Sequence, residues 1–565
     1  RPHRLLPKLG PGLHHGRGGF AVVRIHRQHC VARLGEALPK DVEYPIEQLL
    51  SPNKLLNCNE AADFLSDAIH KQKKITIVGD YDADGASGSS VAILGFRLLG
   101  IEVDFLIPSR FKNGYGLSSE IVDMANTKKT DIIITVDNGI ASFEGISHAN
   151  DLGIDVIVTD HHLQAENLPD AKFIINPNQK KCSFPSKNLC GAGVVFYLLI
   201  AIRKKLRDQN YFDNLNLDEP NLLQLLDLVA LATIADMVKM DFNNRLLVHH
   251  GLRVIRSQQC NLGLKKLFQL TNKSHLTALT SDLSFVIAPK INAAGRMDDM
   301  SLGVACLTAT NENEAHEYAR QLIEFNFQRK KTEADMQEDA QAIMRGFNNN
   351  NKTICLFNEK WHQGVIGILA SRLKENFYRP VIIFAQDESG YLKGSARSIE
   401  GFHVRDAIDL VAKKNPEVIV TFGGHAMAAG LTIKKDRFDS FVQSFEEVAE
   451  SILKPEDLSE IIEVDDSILQ DNINVYIIDE INQLEWGNGF QRPLFTDTFD
   501  CVDQELIKGL HTKLNLTKHN QTFESIFFNY QESIPDRVKC LYTVETNKFN
   551  NANKVTLNIK KIIHE

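Results

Sequence analysis

Apolar and polar positions fall into a regular pattern from Ile75 onward, where short β-branched runs recur: ITIVGD (75–80), VDFLIP (103–108), DIIITVD (131–137), DVIVTD (155–160) and KFIINP (172–177). Stretches of helical length separate most of them. A strand recurring after a helix at about 25 to 30 residues predicts a parallel sheet covered on both faces. The apolar segment LLQLLDLVALATIAD is predicted to be a long helix running to Asp236, and the charge-rich residues 311–345 read as a solvated connecting helix. A second α/β pattern begins at Lys352, and beyond it KLNLT, SIFFNY, KCLYTVE and KVTLNI alternate with turn residues, as in a small β-barrel of about five strands. The expected architecture is α/β: an atypical basic tail (1–45), a parallel-sheet domain (46–310), the connecting helix (311–345), a second α/β domain (346–455) and a β-barrel (456–565).

Composition narrows the partners. A chain of 565 residues exceeds what one core supports, and 43% hydrophobic with 24% charged residues is ordinary for a globular protein. The net charge of −9 shows no basic excess, so any nucleic-acid site must be local. Nine cysteines without a C-x-x-C pair give no disulfide framework, and a reduced, cytoplasmic setting is expected. The apolar run VVFYLLIAI (194–202) is about half of what a bilayer span needs, so no membrane partner is expected. The first 40 residues hold eight Arg and Lys, five His and one acid, Glu36. An organellar transit peptide has such a composition, but a disordered tail or a misassigned chain start is the expectation, and the pair His14 and His15 is given no chemistry.

In a parallel sheet, ligands sit beyond the carboxyl ends of the strands. That rule selects Asp80, Asp82 and Asp84 after the first strand, Asp137 at the end of the third, and Asp160, His161 and His162 at the end of the fourth. If strand geometry persists through DYDADG, Asp82 and Asp84 point the same way. A lone D-x-D is more often a turn or helix cap, but three strand ends of one sheet here carry carboxylate or imidazole. Oxygen ligands with one or two imidazoles suit Mn²⁺ or Mg²⁺. Two such ions, about 3.5 to 4 Å apart, would neutralise the clustered acids and clamp a phosphoryl oxygen. Farther on, TFGGHAMAAG lacks a P-loop lysine. Its small residues fit two readings: main-chain amides near a phosphate, helped by a helix starting there, or tight packing of a helix on a sheet.

DYDADG, VDNG, DHH and ATIADMV, in that order, resemble the four motifs of the DHH phosphoesterase family, and GGHAMAAG is similar to the glycine-rich motif of the accompanying DHHA1 domain. IPSRFKNGYGLS, INAAGRMDDM and WHQGVIGILASRLKE extend the resemblance to the branch made of single-strand-specific 5′→3′ exonucleases, covering about residue 46 to the end. The resemblance implies a DHH domain, a DHHA1 domain and an oligonucleotide-binding (OB) barrel. It implies a metal-dependent exodeoxyribonuclease that releases 5′ mononucleotides from single-stranded DNA by two-metal-activated water, in repair and recombination. Carried over by position, Asp82 would hold one ion, Asp84, His161 and Asp236 the other, and Asp137 would bridge them. His162 would contact the scissile phosphate. Many relatives outside this branch carry His four residues before the first Asp of D-x-D; here that residue is Val78, which leaves Asp80 as a substitute ligand.

For the strand itself, the resemblance points to Arg110, Lys290, Arg296, Ser371, Arg372 and Arg397 along the DNA path or at its 5′ end and to Gly423, Gly424 and His425 for backbone binding; Tyr115 in NGYGL reads either as a platform on which a base stacks or as a buried Tyr with a satisfied hydroxyl. Lys513, Tyr542, Lys548 and Phe549 are barrel surface candidates, although aromatics in barrel strands are usually core. The implied partners are single-stranded DNA, a helicase and a single-strand-binding protein, with the enzyme a monomer. Two alternatives stand beside this reading: a hydrolase of short oligonucleotides or cyclic dinucleotides, and a noncatalytic nucleic-acid-binding protein.

Overall fold

The computed structural model describes residues 22–25, 43–111, 114, 116–346, 350–465, 467, 475–507, 509–547 and 554–563. They divide into two compact units, one within residues 27–329 and 465–565, the other within 1–26 and 330–464.

The larger unit is built on five parallel strands, β1 (Ile75–Val78), β2 (Asp104–Leu106), β3 (Ile132–Val136), β4 (Asp155–Thr159) and β5 (Phe173–Ile175), in the order β2-β1-β3-β4-β5. Every residue of β1 and β3 is buried, as their unbroken apolar runs require of strands covered on both faces. In register, Val78 pairs with Thr135 and Val136 with Thr159, so the carboxyl ends of β1, β3 and β4 lie side by side. The predicted acids therefore share one edge. Helices α1 (Ala83–Leu98), α2 (Gly191–Asp208) and α3 (Leu226–Ala235) form the apolar layer behind that edge, followed by α4 (Phe242–Ile255) and α5 (Ala288–Met297). Glycine permits the close approach of α1 and α2: a Cβ on Gly88 would come 3.2 Å from the Ala192 backbone. The predicted long apolar helix is shorter than its sequence pattern, because a 3₁₀ turn (Leu222–Leu225) precedes α3.

Helix α6 (Glu312–Met344) is the expected connecting helix. It is less solvated than its charges suggest. Ala315, Ala319 and Leu322 are fully buried in the larger unit, and Met336 and Ala340 are buried in the smaller one.

The larger unit also holds the barrel, five strands closed in the order β11-β12-β13-β15-β14: β11 (Phe495–Ile507), β12 (His511–Lys518), β13 (Gln521–Phe527), β14 (Arg537–Asn547) and β15 (Lys554–Ile563). Tyr542 is wholly buried there, its hydroxyl donating to Asp497, so it belongs to the core and not to the surface.

The smaller unit carries a mixed sheet of β6 (Ile354–Phe357), β7 (Val381–Gln386), β8 (Tyr391–Arg397), β9 (Ile419–Gly424) and β10 (Ala428–Lys434), ordered β9-β10-β8-β7-β6, with only β6 and β7 parallel. Val22–Ile25 forms a strand parallel to Ile461–Val464, so the segment expected to be a disordered tail contributes one β-rich run. No helix among the described residues is long and apolar enough to cross a membrane.

Candidate active site

The chain turns out of β1 at Asp80, and strand geometry ends there. Asp82 is the N-cap of α1, accepting from the amides of Asp84 (2.9 Å) and Gly85 (3.0 Å), as a short acidic cap does. Asp84, in the first turn, is wholly enclosed and accepts from the amides of Gly191 (2.6 Å) and Ala192 (2.9 Å) at the start of α2. Asp82 and Asp84 are thus placed by the first turn of α1 and not by strand alternation. Two helix N-termini meet around these carboxylates, where their polarity favours negative charge. Asp80 is buried, and its Oδ1 has no hydrogen-bond partner among the described residues.

Asp137 follows β3 in a left-handed backbone conformation (φ 64°), a strained choice for a residue with a side chain. The surroundings fix it: its amide donates to Thr159 O (3.0 Å), and α2 approaches so closely that a Cβ on Gly191 would lie 2.5 Å from Asp137 Cβ. Asn138 ties this turn to the sheet by donating to the carbonyls of Val78 (3.1 Å) and Val136 (2.9 Å).

The DHH triplet is organised by its first member. Asp160 accepts from the amides of Ile140 (2.9 Å), His161 (2.7 Å) and His162 (3.0 Å), and faces His162 Nδ1 at 2.8 Å. His161 Nε2 then stands 3.0 Å from Asp137 Oδ1, 3.5 Å from Asp236 Oδ2 and 3.8 Å from Asp84 Oδ2. Asp236 reaches this point as the C-cap residue of α3. Three overlapping groups emerge whose potential ligand atoms all lie within 4.8 Å of one another: Asp80, Asp82 and Asp137; Asp84, His161 and Asp236; Asp137, His161 and His162. All seven residues selected for metal or catalytic chemistry are therefore gathered in one place.

Electrostatics mark the place as short of positive charge. Burial, then Asp82, raises the Asp84 carboxyl to about 7. Burial also holds Asp80, Asp137 and Asp236 well above the ordinary carboxylate range, with neighbouring aspartates adding repulsion. Burial lowers His161 to about 4, helped by His162. Burial likewise opposes charge on His162, but the Asp160 carboxylate outweighs it and raises the imidazole to about 9. No Lys or Arg forms an ion pair with Asp80, Asp82, Asp84 or Asp236 among the described residues.

Of the strand-binding candidates, Arg110 lies over the Tyr81 ring (4.0 Å) and donates to Gly295 O (3.1 Å). Helix α5, which carries Lys290 and Arg296, packs on the same loop: Asn292 accepts from the Ala83 amide (2.9 Å), and a Cβ on Gly295 would meet Tyr81 O at 2.0 Å. Lys290 donates to Val286 O. Tyr115, Lys548 and Phe549 lie outside the described residues, while Lys513 is exposed on the barrel.

In the smaller unit, the Arg397 guanidinium stands against Gly367, where a Cβ would be 3.1 Å from Nη2; it donates to Ala396 O (2.8 Å). Ser371 donates to Gly367 O (3.1 Å) on α7 (Ile366–Phe377), and exposed Arg372 pairs with Glu333 (3.3 Å) and Glu375 (3.5 Å). Gly423, Gly424 and His425 lie in a β-hairpin between β9 and β10, so no helix begins at the glycines themselves; the helix Val404–Lys414 instead starts against the hairpin turn, its Val404 amide donating to Ala426 O (2.9 Å). Gly424 has φ 144°, and a Cβ on it would fall 2.4 Å from Ala428 O; the tight return selects glycine. No sequence pattern assigns a specific role to Asp160, Asn138 or Gly191. Asp160 was visible as the first letter of DHH, whereas Gly191, 54 residues from Asp137 in the chain, left no local signal.

The family model for the DHH family N-terminal domain matches residues 74–233, that for the DHHA1 domain residues 350–451, and that for the RecJ OB domain residues 464–561. The single-stranded-DNA-specific exonuclease RecJ of Salmonella typhimurium is 41% identical over 531 residues, which cover 92% of this chain and 92% of that protein. The chain belongs to the RecJ family. RecJ of Haemophilus influenzae is 42% identical over 525 residues, covering 90% of this chain and 91% of its own. The crystal structure of Thermus thermophilus RecJ in complex with Mn²⁺ superposes with a TM-score of 0.78 at 24% identity, over 96% of this chain and 80% of that one, a likeness of fold. A crystal structure of exonuclease RecJ bound to manganese matches with a TM-score of 0.61 at 31% identity, over 72% of this chain and 98% of that one.

Proposed function

We propose that this chain is a single-stranded-DNA-specific 5′→3′ exonuclease that hydrolyses phosphodiester bonds and releases 5′ mononucleotides with the help of two divalent cations, Mn²⁺ or Mg²⁺. The observation that carries the reading is the convergence of five carboxylates and His161 at one sheet edge, with a buried Asp80 oxygen left without a hydrogen-bond partner among the described residues. Donors of this type fit hard divalent ions. Asp80, Asp82 and Asp137 would hold one cation, Asp84, His161 and Asp236 the other, with Asp137 shared. When bound, such a pair neutralises the acids, polarises the phosphoryl group and makes hydroxide available near neutral pH.

The chain's own residues do the rest. Asp160 keeps His162 charged, and the imidazolium, on a half-exposed side chain, stabilises negative charge that develops on the phosphate. Arg110 and Arg296, on elements packed against the Asp80–Asp84 loop, attract the phosphodiester backbone toward the acids. Arg397, Ser371, Arg372 and the Gly423–Gly424–His425 turn serve the strand from the second α/β unit, and the barrel adds non-specific contact. This reading implies action in the cytoplasm as a monomer, in repair and recombination, on strands exposed by a helicase and handed over by a single-strand-binding protein. Digestion of 5′-labelled and 3′-labelled single strands in Mn²⁺, beside a duplex and a dinucleotide, tests it. Immediate release of 5′ label from the long single strand alone is expected; preference for the dinucleotide would favour the short-substrate reading.

A further inference from the structure

Asp236 is the one member of the acidic cluster that follows no strand of the sheet, and the residue after it is unusual. Met237 has a left-handed backbone (φ 57°) although it is 66% exposed, so its own side chain does not anchor that conformation. A non-glycine residue keeps such a backbone when its neighbours over-determine it. Those neighbours come from a distant stretch, the turn Trp486–Phe490 just before the barrel. Asn488 Nδ2 donates to Met237 O (2.7 Å), and Asn488 O accepts from the Met240 amide (2.7 Å). Gly487 lies so close that a Cβ there would be 2.6 Å from Met240 Cγ. Gly489, at φ 69°, leaves room for the Lys239 side chain, 2.7 Å from its would-be Cβ.

The turn is itself held. Trp486 stacks on Phe490 (4.8 Å), Arg245 of α4 lies over the Phe490 ring (4.5 Å) and donates to Met240 O (2.9 Å), and His249 Nδ1 faces the buried Glu485 carboxylate at 2.8 Å. Both ends of the 237–240 segment are therefore fixed from the Trp486–Phe490 turn.

We infer that Asn488 is a positioning residue for the hydrolytic site: its side chain and carbonyl clamp the Met237–Met240 segment and so hold the Asp236 carboxylate against His161 and Asp84. The inference rests on the proposed two-cation reading. Asn488 touches none of the acids and acts only through the backbone of the segment that follows Asp236.

Two substitutions, one isosteric and one a truncation, test it in the full chain. Asn488→Asp removes the donor to Met237 O while keeping the shape, and Asn488→Ala removes the side chain. For each, the Mn²⁺ concentration giving half-maximal hydrolysis should rise about fivefold, the worth of one hydrogen bond, while KM for single-stranded DNA stays as in the wild type. A merely structural role would lower the melting temperature without moving the Mn²⁺ dependence, and that result would overturn the assignment. Wild-type hydrogen exchange with and without Mn²⁺ decides the matter even if both variants fail to fold. Protection on Mn²⁺ addition should spread from residues 236–241 to 484–490; protection confined to 236–241 overturns the inference. Absence of any Mn²⁺ effect at 236–241 would instead refute the cation reading beneath it.

Discussion

Asp160 Oδ1 stands 2.8 Å from His162 Nδ1 while also accepting from the His162 main-chain amide, so one carboxylate fixes both the backbone and the ring of the same histidine. Asp160 is wholly buried, and its contacts with His162 keep it ionised below the ordinary carboxylate range against the cost of burial. The buried carboxylate thereby sustains a positive charge on His162 at the rim of the acidic cluster.

Replacing Asp160 with Asn removes that charge and keeps the shape. The His162 pKa should fall from about 9 toward the ordinary imidazole value, leaving the ring neutral at pH 8, as NMR titration of the metal-free protein would show. Turnover should drop about 10- to 100-fold, the scale typical of residues that orient a ligand or catalytic group. An unshifted His162 with reduced activity would show that Asp160 acts on the backbone alone.

Gly191→Ala places a Cβ 2.5 Å from Asp137 Cβ and 2.8 Å from its Cα, neither of which can yield without moving Asp137, the proposed shared ligand. Overpacking of this kind costs about 1 to 3 kcal/mol, and activity should be lost with it. Gly430→Ala is the comparison: its Cβ would meet only Gly394 O, at 4.0 Å, and thermal unfolding should barely change.

Metal removal should make stability depend on pH. Folded Asp84 titrates near 7 and Asp80, Asp137 and Asp236 titrate well above the usual range, whereas in the unfolded chain all four release their protons near pH 4. Between those limits the folded state binds more protons, so its stability is greatest at the acid end and declines as pH rises. In chelator, the melting temperature should fall between about pH 5 and 7. Saturating Mn²⁺ takes the protons' place and should remove that decline, adding about 2.7 kcal/mol at a hundredfold excess over Kd. A pH-independent melting curve in chelator would contradict the crowding of acids in the folded site.

Tyr542→Phe deletes the hydroxyl that donates to Asp497 inside the barrel, where Ser467 and Lys518 are the other partners of that carboxylate. Leaving a buried acceptor short of a donor costs about 1 to 3 kcal/mol. Chemical denaturation of the full chain should show that loss, with hydrolysis of a short single strand unaffected.

Much of this was legible in the sequence because period and position carry it. Unbroken apolar runs such as ITIV and IIITV announce strands buried on both faces, and the rule about strand ends then picks Asp80, Asp137 and the DHH triplet without any coordinates. Local geometry was harder. Asp82 reads as an alternating strand residue if strand geometry persists, although a lone D-x-D is more often a turn or helix cap, and the cap prevails because two α1 amides need its oxygen. GGHAMAAG reads either as main-chain amides near a phosphate beside a helix start or as the packing of a helix on a sheet, whereas hydrogen bonding along β8 draws it into a hairpin. Contacts between remote segments, Gly191 against Asp137 or Asn488 against Met237, leave no periodic trace at all.

Counting bound Mn²⁺ by electron paramagnetic resonance in the wild type and in Asp137→Ala tests the central claim most directly. The wild type should bind two ions per chain whose spins are coupled through their shared ligand, and Asp137→Ala should lose the coupling and at least one ion while still binding single-stranded DNA. Two uncoupled ions in the wild type, or an undiminished coupled pair in Asp137→Ala, would contradict a site built around a carboxylate common to both cations.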